Sequence, residues 1–383
     1  MPDCRAGAYA RPMPRAAPRP LTLAQLRAHA IARSLFTPTT LPRAIARLGF
    51  VQIDPLRAPA RAQDLTLRLR VAGYRAGDLD ARYPRLALEE DYFVNHGILP
   101  RATAALMHPR AARRAWPEAR WQQAREVQAF VRARGTVHPR EVDAAFAHGP
   151  SRNWFGGTGR ASTELLDGMH YRGLLRIAGR AGNVRLYAAR DPAPPAADPD
   201  AALDALADVL VGQYAPLPAA TLGQLLSLLL GGGAPQWQPR RAALLARTRA
   251  RLPQAVVDGQ TWLWPVGEDP GLRRHATRAS ADRVRLLAPF DPLVWDRRRF
   301  EAFWGWPYRF EAYTPAAKRL RGHYALPLLW RDAVVGWGNL SVQGGQLRAE
   351  LGYVAGRPPA DAGYAAALDE ELQRFSDFLG LGC

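Results

Sequence analysis

The sequence predicts an α+β protein made of tandem winged helix-turn-helix motifs followed by a β-rich C-terminal domain. Three observations support this prediction. Residues 137–190 follow the order helix, turn, helix, hairpin, and a weaker form of that order recurs after a spacer rich in proline and aspartate. From about residue 282 the chain changes to the alternation of apolar and polar residues that is typical of strands, which are expected in "VRLLAPFDPLVW", "YALPLLWRDAVVGWGNLSV" and "GQLRAELGYV".

The first unit is the clearest local pattern. A short helix is expected near residues 139–147, then a Gly-rich turn and a longer helix near 161–173, while "LLRIAGRAGNVRLYAA" predicts two strands around a Gly-Asn turn. In a winged helix the second helix of the pair enters the DNA major groove and the hairpin lies along the backbone. The polar residues on or beside this predicted second helix are Arg160, Ser162, Thr163, His170 and Arg172, and those on the predicted hairpin are Arg176, Arg180 and Arg185.

The same order recurs more weakly on both sides of this unit. Helices are expected near 201–214, 221–230 and 239–251, with two strands in 254–265 around Asp258-Gly259. The N-terminal helices form a looser third copy, one over 21–36 with Thr22 as N-cap and one that starts at Leu41 and stops at Gly49.

These patterns divide the chain into six segments. They are a disordered basic arm (1–20), an N-terminal helical, winged-helix-like domain (21–135), a winged helix (136–190), a linker (191–200), a second winged helix (201–280) and a β-rich domain that ends in an amphipathic helix (281–383).

The charge of the chain predicts a polyanionic partner. Lys and Arg number 52 against 34 Asp and Glu, which gives a net charge of +18 spread along the sequence. The apolar runs are far shorter than the ~18–20 residues that span a bilayer. The two cysteines lie near opposite ends, and the first 20 residues lack the apolar core of a secretory signal. We therefore expect a cytoplasmic monomer, associated with the nucleoid when it is bound to DNA, without membrane contact.

Motifs for the common cofactors are absent from the sequence. The eight histidines form no HExxH or HxH pair, and neither GxSxG, a Walker A loop nor a dinucleotide fingerprint is present. The stretch "GGTGR" at 156–160 lacks the lysine and the preceding strand of a phosphate loop and is better explained as a turn. No metal and no organic cofactor are expected.

The stretch "FVQIDPLRAPARAQDLTLRLR" allows two interpretations. Asp54 could cap the start of a helix while Gln52 packs at an edge. Alternatively, both side chains emerge on one side of an extended segment, with Ile53 turned to the core, where an amide and a carboxylate can hold and polarise a water molecule. Arg57, Arg61, Arg68 and Arg70 follow, either as a solvated face with an Asp64–Arg68 pair or as phosphate ligands with Arg61 and Arg68 on one helix face.

Longer motifs resemble one family. "LGFVQID" with "RAQDLTLRLR", "YFVNHGILP" at 92–100, and "LLAPFDPLVWDRRRFEAFWGWPYRFEAYTPAAKRLRGHYALPLLWRDAVVGW" at 286–337 are similar to the winged-helix DNA glycosylases of the AlkZ and YcaQ (AlkX) family over about residues 22–355. The resemblance implies a C-shaped array of winged helices around a basic channel for duplex DNA. It also implies excision of alkylated purines, including N7-alkylguanine and in some members interstrand crosslinks.

The family signature is Gln, an apolar residue, then Asp or Gln, and Gln52, Ile53 and Asp54 match its acid-containing, AlkZ-like form. The resemblance thus implies a monofunctional DNA glycosylase in which Asp54 stabilises an oxocarbenium-like sugar and activates a water that Gln52 orients. The residues expected to bind DNA are Arg57, Arg61, Arg68, Arg160, Ser162, Thr163, Arg176, Arg180, Arg185, Lys318, Arg319 and Arg321.

Two places depart from the family pattern. Where relatives have Trp-x-His before Leu-Pro, this sequence has Tyr92 and Val94, and His96 is out of register. After the "VVG" strand, many relatives continue with an Asp and a Lys-rich segment, whereas this sequence has Asn339 and no lysine. These departures and the helix-turn-helix pattern leave an alternative function, a non-catalytic winged-helix transcriptional regulator that reads spaced half-sites as a dimer.

Overall fold

The computed structural model describes residues 20–111, 115–146, 150–152, 158–191 and 196–381, with the backbone alone for 150–152 and 158–160. The predicted basic arm (except residue 20), both cysteines and part of the predicted linker therefore lie outside the described residues. The helices are α1 (Leu23–Ser34), α2 (Leu41–Leu48), α3 (Ala62–Leu67), α4 (Asp78–Arg82), α5 (Arg101–Ala105), α6 (Glu118–Arg134), α7 (Pro139–Phe146), α8 (Ala161–Tyr171), α9 (Pro199–Tyr214), α10 (Ala219–Leu228), α11 (Arg241–Arg251), α12 (Arg273–Ala279), α13 (Pro292–Trp295), α14 (Arg297–Trp304) and α15 (Ala362–Leu379).

The strands are short except in the C-terminal sheet. They are β1 (Val51–Gln52), β2 (Leu88–Tyr92), β3 (His96–Pro100), β4 (Thr136–Val137), β5 (Pro150–Arg152), β6 (Thr158–Arg160), β7 (Leu175–Ala181), β8 (Val184–Ala189), β9 (Leu217–Pro218), β10 (Gln254–Val257), β11 (Gln260–Leu263), β12 (Val284–Leu286), β13 (Leu326–Trp330), β14 (Ala333–Gln343) and β15 (Gln346–Tyr353).

Local signals set the ends of the N-terminal helices as expected. The Thr22 hydroxyl accepts a hydrogen bond from the backbone N–H of Gln25, and the Gln25 side chain accepts one from the N–H of Thr22, which completes a capping box at the start of α1. Helix α2 ends at Gly49, whose φ of 74° favours glycine. The chain then enters β1, the edge strand of a sheet with the order β1-β3-β2.

Two middle segments share one topology. In each, a long helix leads through a short strand into two further helices and a hairpin, and the sheet orders β4-β8-β7 and β9-β11-β10 place corresponding strands at corresponding positions. The two hairpins turn at Gly182-Asn183 and at Asp258-Gly259, as the sequence predicts. These two segments follow the order of elements on which the winged-helix prediction was based.

The C-terminal segment forms an antiparallel sheet with the order β12-β13-β14-β15, and α15 packs against β12. The prediction of a strand over "VRLLAPFDPLVW" is wrong beyond Leu286. Asp291 accepts a hydrogen bond from the backbone N–H of Leu293 and caps α13, and Pro292 at the first helical position is pre-organised for a helix. Asp296 caps α14 in the same way, a helix that the sequence analysis did not predict.

Buried apolar residues form three clusters. The first joins α1 to the segment 203–264 and to α14, and the second joins α2 and α3 to the C-terminal sheet and α15. The third contains only residues between Ala124 and Tyr187. The N-terminal and C-terminal segments therefore share cores, whereas the segment from α6 to β8 has its own. In the described part of the chain, no helix combines the length and apolarity that crossing a membrane requires.

Candidate active site

The Gln52–Asp54 motif lies where β1 ends. Gln52 is paired with Gly97 of β3, and the backbone N–H of Ile53 donates a hydrogen bond of 3.0 Å to the carbonyl of His96. A Cβ on Gly97 would stand 2.5 Å from the carbonyl oxygen of Val51 and would also overlap the ring of Phe50. Glycine at this position therefore allows the two strands to approach closely enough to hold the motif.

Gln52 is buried and its amide is oriented by a tryptophan. Trp295 Nε1 donates a hydrogen bond of 3.2 Å to Gln52 Oε1. Because an indole nitrogen only donates, the atom that faces it is the amide oxygen. Among the described residues no acceptor is assigned to Gln52 Nε2, so its N–H groups are left for a ligand or water.

Asp54 is also buried, with 7% of its surface exposed. Its Oδ1 accepts a hydrogen bond of 2.9 Å from the backbone N–H of Leu56, and in the described part of the chain only this oxygen accepts one. Burial raises the pKa of the Asp54 carboxyl, and the Leu56 hydrogen bond opposes that shift only in part. Asp54 therefore caps a local turn with one oxygen. The capped helix start that one interpretation predicted is not present, since α3 starts at Ala62. The other oxygen remains free to accept a proton.

Both motif residues line a cleft of about 1040 Å³. The N-terminal segment supplies its floor, which also includes Arg61 and His96. The segment from α6 to β8 supplies the residues that we call the charged wall. They are His138, Pro139, Arg140, Asp143, Thr163, Asp167, Arg180, Asn183, Val184, Arg185 and Tyr187. The C-terminal segment supplies Phe290, Phe310 and Tyr313, which we call the aromatic wall. The cleft thus combines a buried acid and amide with a charged surface and an aromatic surface.

Buried acids in β2 hold the charged wall in place. Glu90 Oε1 lies 2.5 Å from Arg180 Nη2, 2.9 Å from Arg185 Nε and 2.8 Å from His96 Nε2. Although burial acts in the opposite direction, His96 and the two guanidinium groups hold the pKa of the Glu90 carboxyl well below its usual range. The neighbouring Glu89 binds Arg176, Arg190 and Arg101 in the same manner.

Four of the predicted DNA-binding residues share the cleft with the motif: Arg61, Thr163, Arg180 and Arg185. Thr163 is exposed. Arg61 is ion-paired with Asp80, and its Nε lies 3.7 Å from Asp64 Oδ2.

Besides Arg61, which is only 8% exposed, two further predicted residues are removed from solvent. Arg68 does not pair with Asp64 and does not share an exposed face with Arg61. Its guanidinium instead lies 2.6 Å from Glu371 and 4.2 Å from the ring centre of Phe375, with a side chain only 4% exposed. Ser162 is fully buried in α8. A DNA contact by either residue would require these buried interactions to open.

The remaining predicted residues whose side chains the structure describes lie outside the cleft lining. Arg57 is exposed and lies 3.4 Å from the side-chain oxygen of Asn183, and Lys318 is exposed. The Arg319 side chain donates to the Thr314 carbonyl, Arg321 lies over the ring of Trp306 at 4.7 Å, and Arg176 is bound to Glu89. The side chain of Arg160 lies outside the described residues.

The sequence analysis missed the acids of β2 and the aromatic wall. Three adjacent acids in "LALEEDYF", between apolar residues of a basic chain, were an available signal, because buried carboxylates need cationic partners. The aromatic wall and Trp295 had no local signal. In the described ranges, no group of three or more His, Cys, Asp or Glu residues is arranged to hold a metal ion.

The cleft, its buried acid and its basic lining are features of an enzyme that acts on a polyanion. A family model described as DNA glycosylase AlkZ-like matches residues 45–378. The chain belongs to this family of DNA glycosylases and is therefore an enzyme that hydrolyses N-glycosidic bonds. The family membership decides against the alternative of a non-catalytic regulator.

A solved structure has a similar fold. The Streptomyces sahachiroi DNA glycosylase AlkZ is 15% identical in sequence, and the match covers 94% of this chain and 98% of that chain with a TM-score of 0.60. This likeness extends over nearly the whole of both chains and supports the α and β content described above.

Proposed function

We propose that this enzyme is a monofunctional DNA glycosylase that hydrolyses the N-glycosidic bond of cationic N-alkylated purines in duplex DNA, with N7-alkylguanine as the main substrate and interstrand crosslinks among the lesions. The observation that carries this proposal is the placement of a buried carboxylate and a buried amide, two residues apart, in a cleft that four arginines also line.

The chemistry follows from the charge of the substrate. A purine alkylated at N7 is already cationic, so it leaves as a neutral base with the electron pair of the C1′–N9 bond and needs no further protonation. Asp54 then stabilises the positive charge that develops on the sugar and takes a proton from the attacking water, whose oxygen bonds to C1′. Gln52 donates from Nε2 to that water, because its oxygen is held by Trp295.

We further propose that the two middle segments are winged helices and that the chain surrounds duplex DNA as a C-shaped channel. Arg57, Arg61, Arg180, Arg185 and Lys318 are the phosphate contacts that we favour, since each lies in or near the cleft or is exposed. The enzyme acts as a monomer on nucleoid DNA in the cytoplasm. Lys318→Gln should make the negative slope of log K against log [salt] shallower by about 1, whereas Arg132→Gln, an exposed change on α6, should leave the slope unchanged.

The decisive experiment measures release of 7-methylguanine from a methylated duplex. Asp54→Asn should lower the rate about 10²- to 10⁴-fold, and Gln52→Ala should lower it by a smaller factor, while both variants still bind DNA. Asp143→Asn is the matched control, because it removes a carboxylate that lines the same cleft outside the motif. Release by Asp54→Asn at the wild-type rate would refute the mechanism. Unhooking of a crosslinked duplex, assayed with the same variants, tests the crosslink part of the proposal.

A further inference from the structure

The aromatic wall has no role in the mechanism above. Its three rings form a connected group, with Phe290 and Phe310 centroids 5.1 Å apart at 62° and Phe310 and Tyr313 centroids 6.1 Å apart at 75°. All three side chains line the cleft that contains Gln52 and Asp54. The wall therefore faces the same space as the motif residues.

Tyr313 is unusually accessible for an aromatic residue in such a group. It is 77% exposed, and its contact with Phe310 is edge-to-face. Most of its ring surface is therefore in contact with water, so folding gains little from it. An exposed aromatic ring beside a cleft is a surface on which a planar ligand can stack.

The aromatic wall is close to the Asp54 carboxylate. Phe310 packs edge-to-face on Tyr324, with ring centroids 5.3 Å apart. Burial and the nearby charge of Asp54 both raise the pKa of Tyr324. The contacting rings of Tyr313, Phe310 and Tyr324 thus extend from the solvent to the vicinity of the Asp54 carboxylate.

Charge is divided unequally between the two walls. The charged wall contains Arg140, Arg180 and Arg185 together with two acids, Asp143 and Asp167, whereas none of the three residues of the aromatic wall carries a charge. In a nucleotide the sugar connects the phosphates to the base. If C1′ lies at Asp54 and the phosphates lie on the arginines, the surface left for the base is the aromatic wall.

We propose, on the basis of the function proposed above, that the aromatic wall is the binding site for the cationic purine and that Tyr313 stacks on it. An aromatic face carries negative electrostatic potential, so it attracts a positively charged ring more strongly than a neutral ring of the same shape. This site selects the charged base without a deep pocket. Tyr313 is thus a specificity-determining residue, while Gln52 and Asp54 carry the chemistry.

The test compares two duplexes that differ only in the charge of one base. One contains 2′-fluoro-7-methyl-2′-deoxyguanosine, which is cationic and resists cleavage, and the other contains its neutral 7-deaza analogue with the same 2′-fluorine. The dissociation constants of wild type and of Tyr313→Ala, Tyr313→Trp and Leu320→Ala are measured by fluorescence anisotropy. Leu320 is the matched control, because it is 76% exposed on the same loop and does not line the cleft.

Wild type should bind the cationic duplex roughly 3- to 30-fold more tightly than the neutral one. Tyr313→Ala should abolish this ratio, while Tyr313→Trp and Leu320→Ala should keep it. An unchanged ratio in Tyr313→Ala, or an equal loss in Leu320→Ala, would overturn the inference. Because the ratio is measured without cleavage, it separates this inference from the proposed function. A failed release assay refutes the proposed substrate, and the binding ratio still decides the role of Tyr313.

Discussion

The indole nitrogen of Trp295 donates a hydrogen bond of 3.2 Å to the side-chain oxygen of Gln52, which lies 243 residues earlier in the chain. This contact connects the two most informative sequence motifs, "FVQID" and "PFDPLVW", into one site. The C-terminal segment thus orients the amide to which we assign a role in positioning the water.

Replacement of Trp295 by phenylalanine tests this connection. The change keeps an aromatic ring but frees the Gln52 amide to rotate, so kcat for 7-methylguanine release should fall roughly 3- to 10-fold with little change in DNA affinity. Trp304→Phe is the control, because the Trp304 indole donates a comparable hydrogen bond of 2.8 Å to the Asp332 carbonyl away from the cleft. Equal kinetics of the two variants would argue against a role for Trp295.

Asp54 should make the folded protein less stable at neutral pH. Its pKa is raised by burial, so the native state binds the proton more tightly than the unfolded chain, and stability from this group declines as pH rises through the folded-state value. Asp54→Asn removes the buried charge and should increase the free energy of unfolding at pH 7 by about 0.5–1.5 kcal/mol. Urea denaturation at pH 7 and below pH 4 measures this, and the gain should vanish at the lower pH. A loss of stability at pH 7 would contradict the prediction.

The same pKa shift predicts the pH dependence of catalysis. The protonated Asp54 cannot accept a proton from water, so kcat should fall as pH decreases through its raised pKa and reach a plateau above it. The rate of 7-methylguanine release, measured across acidic pH in wild type and in Asp143→Asn, should show this same limb in both proteins.

Glu90→Gln should destabilise the protein strongly. It leaves Arg180 and Arg185 without their buried counter-ion, which should cost about 3–5 kcal/mol of unfolding free energy at pH 7. Because the pKa of Glu90 is lowered in the folded state, its contribution is present above the unfolded-state pKa and is lost as pH falls through the folded-state value. The difference between variant and wild type should therefore shrink in acid.

Chemical denaturation at two pH values checks the Glu90 prediction. Glu118→Gln is the control, since its ion pair with Arg125 is exposed, with side chains 79% and 54% accessible. It should produce no measurable change. Equal changes in the free energy of unfolding for the two substitutions would show that burial of the Glu90 ion pairs does not contribute to stability.

Two buried tyrosines of the C-terminal segment should respond oppositely to loss of their hydroxyl groups. Both are 2% exposed, but Tyr308 donates a hydrogen bond of 2.7 Å to the Ala325 carbonyl, whereas the Tyr324 hydroxyl has no partner among the described residues. Tyr308→Phe should lower stability by about 1 kcal/mol, and Tyr324→Phe should raise it by a similar amount. Thermal unfolding of both variants provides the measurement, and loss of stability in Tyr324→Phe would indicate that its hydroxyl is satisfied by water.

The sequence contained enough information for the local elements of the fold. Thr22, Gly49 and the Gly182-Asn183 turn act through neighbours in the chain, and the helices and hairpins that they bound were predicted closely. The segment after Leu286 was misassigned because its apolar residues suggest a strand, whereas two caps, Asp291 and Asp296, start short helices.

The composition of the site was less predictable, because its contacts are distant in sequence. A local rule paired Arg68 with Asp64, but the partner of Arg68 is Glu371, which packs against it from α15. The motif at Gln52 and Asp54 was recognisable as a pattern, yet Trp295 and the aromatic wall reach it only through the tertiary fold. Periodicity assigns a face to a residue and does not identify the residue across from it.

The separate core of the segment from α6 to β8 has a consequence for the reaction cycle. This segment meets β2 through buried charges, including the contacts of Glu89 and Glu90 with four arginines. Salt screens exposed charges much more than buried ones. An increase in ionic strength should therefore release DNA from the cleft before it breaks the buried ion pairs that hold the charged wall. The cleft then keeps its shape between one lesion and the next.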